Sequence, residues 1–251
     1  KAQEKKIPAF VARFEKSSQI PDDLSGISAV MLPIEENPDI KIDENIIKIA
    51  DIPRGIVSED LIEKRLKLFA RHGFRVAACG NLAAVEIAKN AGFSVLADTG
   101  FNITNPESVI TAEKMGVTGV VLSTELTIND AKFCCSIPKG IIAYGKIPLM
   151  IFKNCPIKNG ISCENCDKNG IITDRLGVEF NVRCRMGYSE MLNSVPVWLA
   201  DRKEELSGLD FLVLYFTTES KQRALEVIEM YKAGAAPDVK HTRGLYYRGM
   251  I

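Results

Sequence analysis

The chain has 251 residues, of which 46 % are apolar and 25 % charged, and its 32 Lys and Arg balance 32 Asp and Glu to a formal net charge of zero. That composition excludes a disordered chain and fits one large globular domain, a size at which α/β barrels are common. Zero net charge gives no bulk electrostatic drive toward nucleic acid or a membrane surface, no apolar run is long enough to span a bilayer, and Lys1-Ala2-Gln3-Glu4-Lys5-Lys6 has no apolar signal core behind it.

Eight short apolar, β-branched runs recur along the chain: Pro8–Phe14, Ile27–Leu32, Ile46–Ile52, Arg75–Cys79, Ser94–Ala97, Gly119–Leu122, Ile141–Tyr144 and Leu209–Tyr215. They are near-continuous rather than alternating, as parallel strands buried on both faces are. The segments between them carry helix punctuation. Ser58 is placed to cap a helix whose apolar stripe is Leu61, Ile62, Leu66 and Phe69, with Gly73 beyond its end. Asn81 opens Leu82–Ala91, and Asn105-Pro106 opens a helix that Gly116 closes. Thr127 is placed to cap Ile128–Cys134, and a last helix runs from Glu219 to Lys232. Strand–helix alternation eight times over predicts a TIM-type (β/α)8 barrel, with an open doubly wound sheet as the alternative. Glu15–Ser25, interrupted by Pro21, is a poor helix, so the barrel is expected to be irregular there. The chain does not begin with Met and is read as one barrel, residues 1–251, cut from a longer protein.

One unit is not compact. Residues 145–208, between the seventh and eighth strands, form an insert with a β-hairpin, Gly170–Thr173 and Val178–Val182, about the turn Asp174-Arg175-Leu176-Gly177. A helix-like stretch, Ser189–Leu206, broken at Pro196, leads back to the barrel. The insert holds four of the seven cysteines, Cys155, Cys163, Cys166 and Cys184, spaced C-x7-C-x2-C-x17-C. A C-x2-C turn presents two thiolates to one metal, and two more complete a tetrahedral zinc set or the corners of an iron–sulfur cluster. Four cysteines among Gly, Asn, Lys and Asp do not resemble buried apolar filler. Seven clustered cysteines suit a reducing, cytoplasmic setting better than a secreted disulfide frame. Loops after barrel strands lie at the C-terminal face, so the insert is expected over the mouth.

The strand ends are polar: Arg13, Arg54, Asn81, Asp98, Asn102, Asn105, Ser123 and Glu125. Asp98 and Glu125 are candidates for an acid/base pair with Asn102 beside them; taken one at a time, capping and loop roles are the preferred readings. Of the two histidines, His72 closes a helix and His241 is in the tail, and neither belongs to a Ser/His/Asp order, an H-E-x-x-H motif or a P-loop. The tail mixes Arg243, Tyr247 and Arg248, which suits phosphate and base contact, although docking on the barrel is the preferred reading.

Together, Asp98…Asn102…Asn105, Leu122-Ser123-Thr124-Glu125-Leu126, Gly145–Met150 leading to Cys155-Pro156, Asp174-Arg175, Leu192-Asn193-Ser194 and Thr242-Arg243-Gly244…Tyr247-Arg248-Gly249 resemble the collagenase-like peptidase family U-32, in particular the C-terminal half of its long members. The resemblance implies an N-terminal half of the same protein as partner. It also implies one of two activities: proteolysis, or oxygen-independent hydroxylation of RNA or a quinone ring with a 4Fe–4S cluster on Cys155, Cys163, Cys166 and Cys184. A four-thiolate zinc leaves no open position, so zinc there would be structural, in a non-catalytic domain docked on a catalytic N-terminal barrel. Redox modification of RNA is therefore the expected activity, with Asp98, Asn102 and Glu125 lining the pocket and Arg54, Arg243, Tyr247 and Arg248 contacting substrate.

Overall fold

A computed structural model describes residues 7–55, 58–160, 162–166 and 169–248; Gly249 of the tail motif lies outside them. All eight expected barrel strands are present, with ends moved by one or two residues. The first seven are β1 (Ala9–Phe14), β2 (Ile27–Pro33), β3 (Ile47–Asp51), β4 (Val76–Cys79), β5 (Ser94–Ala97), β6 (Val117–Val121) and β7 (Lys139–Gly145). The insert follows with β8 (Pro148–Phe152), β9 (Asn169–Thr173), β10 (Glu179–Arg185), β11 (Tyr188–Leu192) and β12 (Val197–Trp198), and the eighth barrel strand is β13 (Phe211–Phe216). Each barrel strand pairs in parallel with the next, and β13 pairs with both β7 and β1, which closes the barrel.

Among the described residues the α-helices are α1 (Glu59–Arg71), α2 (Leu82–Asn90), α3 (Pro106–Lys114) and α4 (Lys221–Ala233). The oxygens of Ser58, Asn81, Asn105 and Ser220 accept from the backbone N–H of Leu61, Ala84, Ser108 and Arg223, so each cap satisfies a helix-end donor. The barrel is irregular where expected: β1 is followed only by a 3-10 turn, Ser17–Gln19.

Two expected helices are absent. In place of Ile128–Cys134 there is a 3-10 turn, Asp130–Lys132, and Cys134-Cys135 lie beyond it outside any helix. Thr127 does cap this short turn, its Oγ1 accepting from Asp130 N–H, and the first-turn N–H of Ile128 donates to Tyr246 O of the docked tail. Ser189–Leu206 is likewise no helix: it begins as β11 between β8 and β10, continues as β12 after Pro196, and ends in a 3-10 segment, Ala200–Leu206. Pro196 cannot donate within a helix, and the sheet satisfies the backbone before it.

The expected hairpin is β9–β10, around Asp174–Gly177, and belongs to a four-stranded antiparallel sheet ordered β8-β11-β10-β9. A short apolar run such as β8 does not by itself announce a strand. The barrel packs on two cores. One lies between the strands and their outer cover, and the other fills the interior with Val11, Met31, Ile49, Ala78, Leu96, Val121, Ile142 and Val213.

The chain turns from β7 into the insert at Gly145, whose φ is +120°, and a Cβ there would lie 2.2 Å from Tyr215 O. Gly145→Ala is therefore expected to cost at least about 1–3 kcal/mol of stability, read as a lower urea midpoint at unchanged slope.

Candidate active site at the barrel mouth

One pleat beyond the apolar interior the inward positions turn polar. Two residues past Val11, Ile49, Leu96, Val121 and Val213 come Arg13, Asp51, Asp98, Ser123 and Tyr215. Strand alternation carries all five to the inner face at the C-terminal end of the barrel. Arg13 joins them. Its Nη2 donates to both oxygens of Asp51 (3.0 and 2.9 Å) and its Nη1 to Asp98 Oδ2 (3.0 Å), while its guanidinium carbon lies 4.3 Å from the centre of the Tyr215 ring.

The small sheet closes over this layer. Arg183 and Arg185 alternate onto one face of β10, opposite Glu190 and Tyr188 of β11. Arg183 Nε donates to Glu190 Oε2 (2.8 Å), and its Nη1 pairs with Glu15 just past β1. Arg185 Nε donates to Glu35 Oε1 (3.0 Å), and its Nη1 stands 3.5 Å from Asp51 and 3.7 Å from Glu15. The Tyr215 hydroxyl donates to Glu15 Oε1 (2.5 Å). Three guanidiniums thus meet five carboxylates in one continuous, largely buried network.

The network sets its own titration. Burial works to raise the Glu15 carboxyl, but Arg183, Arg185 and the Tyr215 hydroxyl outweigh it, and Glu15 titrates below the usual range. At Asp51 burial wins: Arg13 and Arg185 only partly offset it, Asp98 and Glu15 add to it, and the carboxyl is pushed up. Burial also raises Tyr188 to about 12.

Between this layer and the sheet lies a cavity of about 290 Å³. Asp98, Asn102 and Glu125 all line it, as do Arg54, Arg183, Arg185, Tyr188 and Glu190. Arg54 is held by its backbone: its N–H donates to Tyr188 Oη (2.9 Å), and its carbonyl accepts from Asn81 Nδ2 (2.6 Å). A Cβ on Gly100 would lie 2.3 Å from Gly80 O and 3.0 Å from Arg54 Nε, so glycine is required where these segments meet. The Arg54 guanidinium and the Glu125 carboxylate have no protein partner among the described residues. Asn102 takes a left-handed conformation (φ 50°), and its Oδ1 accepts from Ser123 Oγ. Two buried atoms of the pocket-lining residues, Arg13 Nε and Asp98 Oδ1, are without a hydrogen-bond partner. Buried polar atoms are nearly always paired, so this unpaired donor and acceptor just beneath the cavity are an exception that the layer carries.

The other named residues lie elsewhere. Arg243 makes a two-pronged pair with Asp201 (2.6 and 2.7 Å), the Tyr247 hydroxyl donates to Glu205 (3.0 Å), and Arg248 is exposed. These contacts, with the buried Tyr246 donating to Ile142 O, hold the tail against the barrel. Burial keeps Cys79, at the end of β4, in its thiol form. Sequence reasoning missed Asp51, Glu15, Arg183, Arg185, Glu190 and Tyr188. The available signal was the polar residue two places beyond an inward apolar one, and the Arg-x-Arg alternation of β10.

The four cysteines collect at one end of the small sheet. Cys184 is opposite Ser189, which is opposite Phe152 near the end of β8. A hydrogen bond with Ser189 holds the Cys155 thiol below its ordinary range, and burial opposes it. Cys166 Sγ lies 3.9 Å from Asn169 O at the start of β9, and Cys163 is in the exposed turn before it. Four thiols are the donor type that holds zinc or an iron–sulfur cluster, but no three His, Cys, Asp or Glu side chains among the described residues stand close enough together to hold a metal ion. Strand alternation also turns Cys184 away from the face that carries Arg183 and Arg185. It lines a second cavity, of about 620 Å³, beside the loops after β1, β2 and β13.

No family model matches the chain, and no curated protein matches it. Among solved structures it is similar to the U32 peptidase Mk0906, with 12 % identity over 88 % of this chain and 98 % of the other and a TM-score of 0.46. It is also similar to tryptophan synthase subunit alpha from Legionella pneumophila, with 10 % identity over 91 % and 87 % and a TM-score of 0.42. No described helix is long and apolar enough to cross a membrane.

Glu15→Gln would leave Arg183 and Arg185 under-compensated and is expected to cost about 3–5 kcal/mol in chemical unfolding. Because the folded Glu15 titrates below its unfolded value of about 4.3, its stabilisation is complete above that pH and is lost as pH falls through the folded value. The variant should therefore lose less stability on acidification than the wild type does.

Proposed function

We propose that the protein is a hydrolase that cleaves an amide bond in the mouth cavity. The observation that carries this reading is the cavity where the uncommitted Arg54 and Glu125 meet Asp98, with Arg13 Nε and Asp98 Oδ1 unpaired just beneath it. Hydrolysis adds water across the C–N bond and needs no oxidant or reductant. Asp98 takes the proton of the attacking water and returns it to the leaving nitrogen, the Glu125 carboxylate orients that water, and Arg13 and Arg54 receive the charge that develops on the carbonyl oxygen. The buried ion-pair layer fixes Arg13 and Asp98 in advance, so no reorganisation is required as that charge appears.

The second reading is oxygen-independent modification of RNA, and the placement of Cys155 and Cys184 on either side of Ser189, within an insert that holds four cysteines, favours it. On Cys155, Cys163, Cys166 and Cys184 an iron–sulfur cluster would supply electrons, and zinc would tie the end of the sheet together. Hydrolysis is preferred because β10 turns Cys184 away from the face that lines the mouth cavity.

The test is mass-spectrometric screening of a short-peptide library with wild-type protein and Asp98→Asn. Wild type should cleave, and Asp98→Asn should be slower by about 10²–10⁴-fold with its fold retained by circular dichroism. Equal cleavage by both proteins would remove Asp98 from the chemistry. No cleavage, together with stoichiometric iron after anaerobic purification, would favour the second reading. Activity seen only with an N-terminal half added would mark this chain as a docking domain.

A further inference from the structure

The small sheet has two edge strands, β8 and β9, and β8 is the one that begins at the mouth cavity. β8 pairs with β11 on one side and, among the described residues, with no strand on the other. Its sequence, Pro148-Leu149-Met150-Ile151-Phe152, carries no charge, and Leu149, Met150 and Ile151 are 50, 51 and 47 % exposed. Edge strands are usually blunted by a charge or covered by another segment, because their free N–H and C=O groups template further pairing. Lys146 before the strand is committed to Asn181 (2.6 Å), and the exposed Lys153 stands just past its end, so no charge lies within the strand itself.

This edge leads into the mouth cavity. Ile147 and Pro148, at the start of β8, line that cavity. Ile151 lies opposite Glu190, on the face of the sheet that carries the cavity-lining side chains. We propose that β8 is the docking edge for an extended peptide, which adds to the small sheet as a fifth strand and delivers one end to the mouth cavity. The inference rests on the amide-hydrolase reading and names the substrate as an unfolded peptide segment. Main-chain pairing would supply affinity with little sequence preference, and the apolar side chains on both faces of β8 favour apolar residues at alternate peptide positions. The five residues of β8 offer about 17 Å of edge.

The test is fluorescence anisotropy with a labelled octapeptide of alternating Val and Thr, and with the same peptide methylated at every backbone nitrogen, against the full chain. The unmodified peptide should bind, and methylation should weaken it by at least about tenfold, as should Ile151→Lys, which places a charge on the edge. Ile171→Lys, on the opposite edge strand β9, should bind as wild type. Equal binding by wild type and Ile151→Lys, indifference to methylation, displacement by an RNA oligonucleotide, or a dimer in light scattering that Ile151→Lys dissolves would each overturn the proposal. A peptide bound through the edge but never cut would leave this inference standing and remove the hydrolase reading. Peptide cut at equal rates by Ile151→Lys and wild type would do the reverse.

Discussion

The rest of the mouth depends on the buried charge layer centred on Arg13, Asp51, Arg185, Glu15 and Arg183. Taking such groups out of water costs several kcal/mol per ion, and a buried pair is often no more stabilising than well-packed apolar residues of the same volume. What the layer provides is connection. Arg13 and Asp51 come from the barrel, Arg183 and Arg185 from the small sheet, and Glu15 from the loop after β1. The sheet cannot slide over the mouth without exposing at least one buried guanidinium to a missing partner. A structure that carries this desolvation in its most buried polar layer holds the mouth geometry fixed, and fixed donors are what a reacting carbonyl uses.

The same layer bears on the two proposed kinds of chemistry. Alternation along β10 sends Arg183 and Arg185 one way and Cys184 the other. The groups that reach the mouth cavity are acids, guanidiniums and tyrosines, suited to moving protons and stabilising charge. The thiols occupy the end of the sheet, where a bound group would chiefly hold the strands of the insert together.

The barrel was legible because its strands are apolar on both faces, and a run such as Ile27–Leu32 or Leu209–Tyr215 has few other destinations. Ser58, Asn81 and Asn105 were legible as caps because capping is local. Asp98, Asn102 and Glu125 were found at the cavity because they follow strands. Asp51 was not singled out, since a carboxylate ending an apolar strand reads as a loop residue until its partner is known, and Arg13 is 38 positions away. Arg183, Arg185 and Glu190 were hidden for a related reason. Their charges suggest a solvated hairpin, and only the placement of the sheet over the mouth turns that face inward. Ser189–Leu206 misled because its composition tolerates a helix, whereas the pairing of Glu190 with Arg183 stabilises a strand.

The insert therefore performs three physically separable tasks along one small sheet. Its inner face walls the cavity with charge, its end gathers the thiols, and its outer strand β8 presents an unpaired apolar edge. The first task requires rigidity, which the ion-pair layer supplies. The third requires accessibility, which a strand paired on one side retains. An edge left uncharged is an aggregation hazard unless something regularly covers it, and β8 starts at residues that also wall the cavity. A segment that pairs with this edge would reach the mouth cavity along the strand, with its backbone already extended and its orientation fixed before any side chain is read.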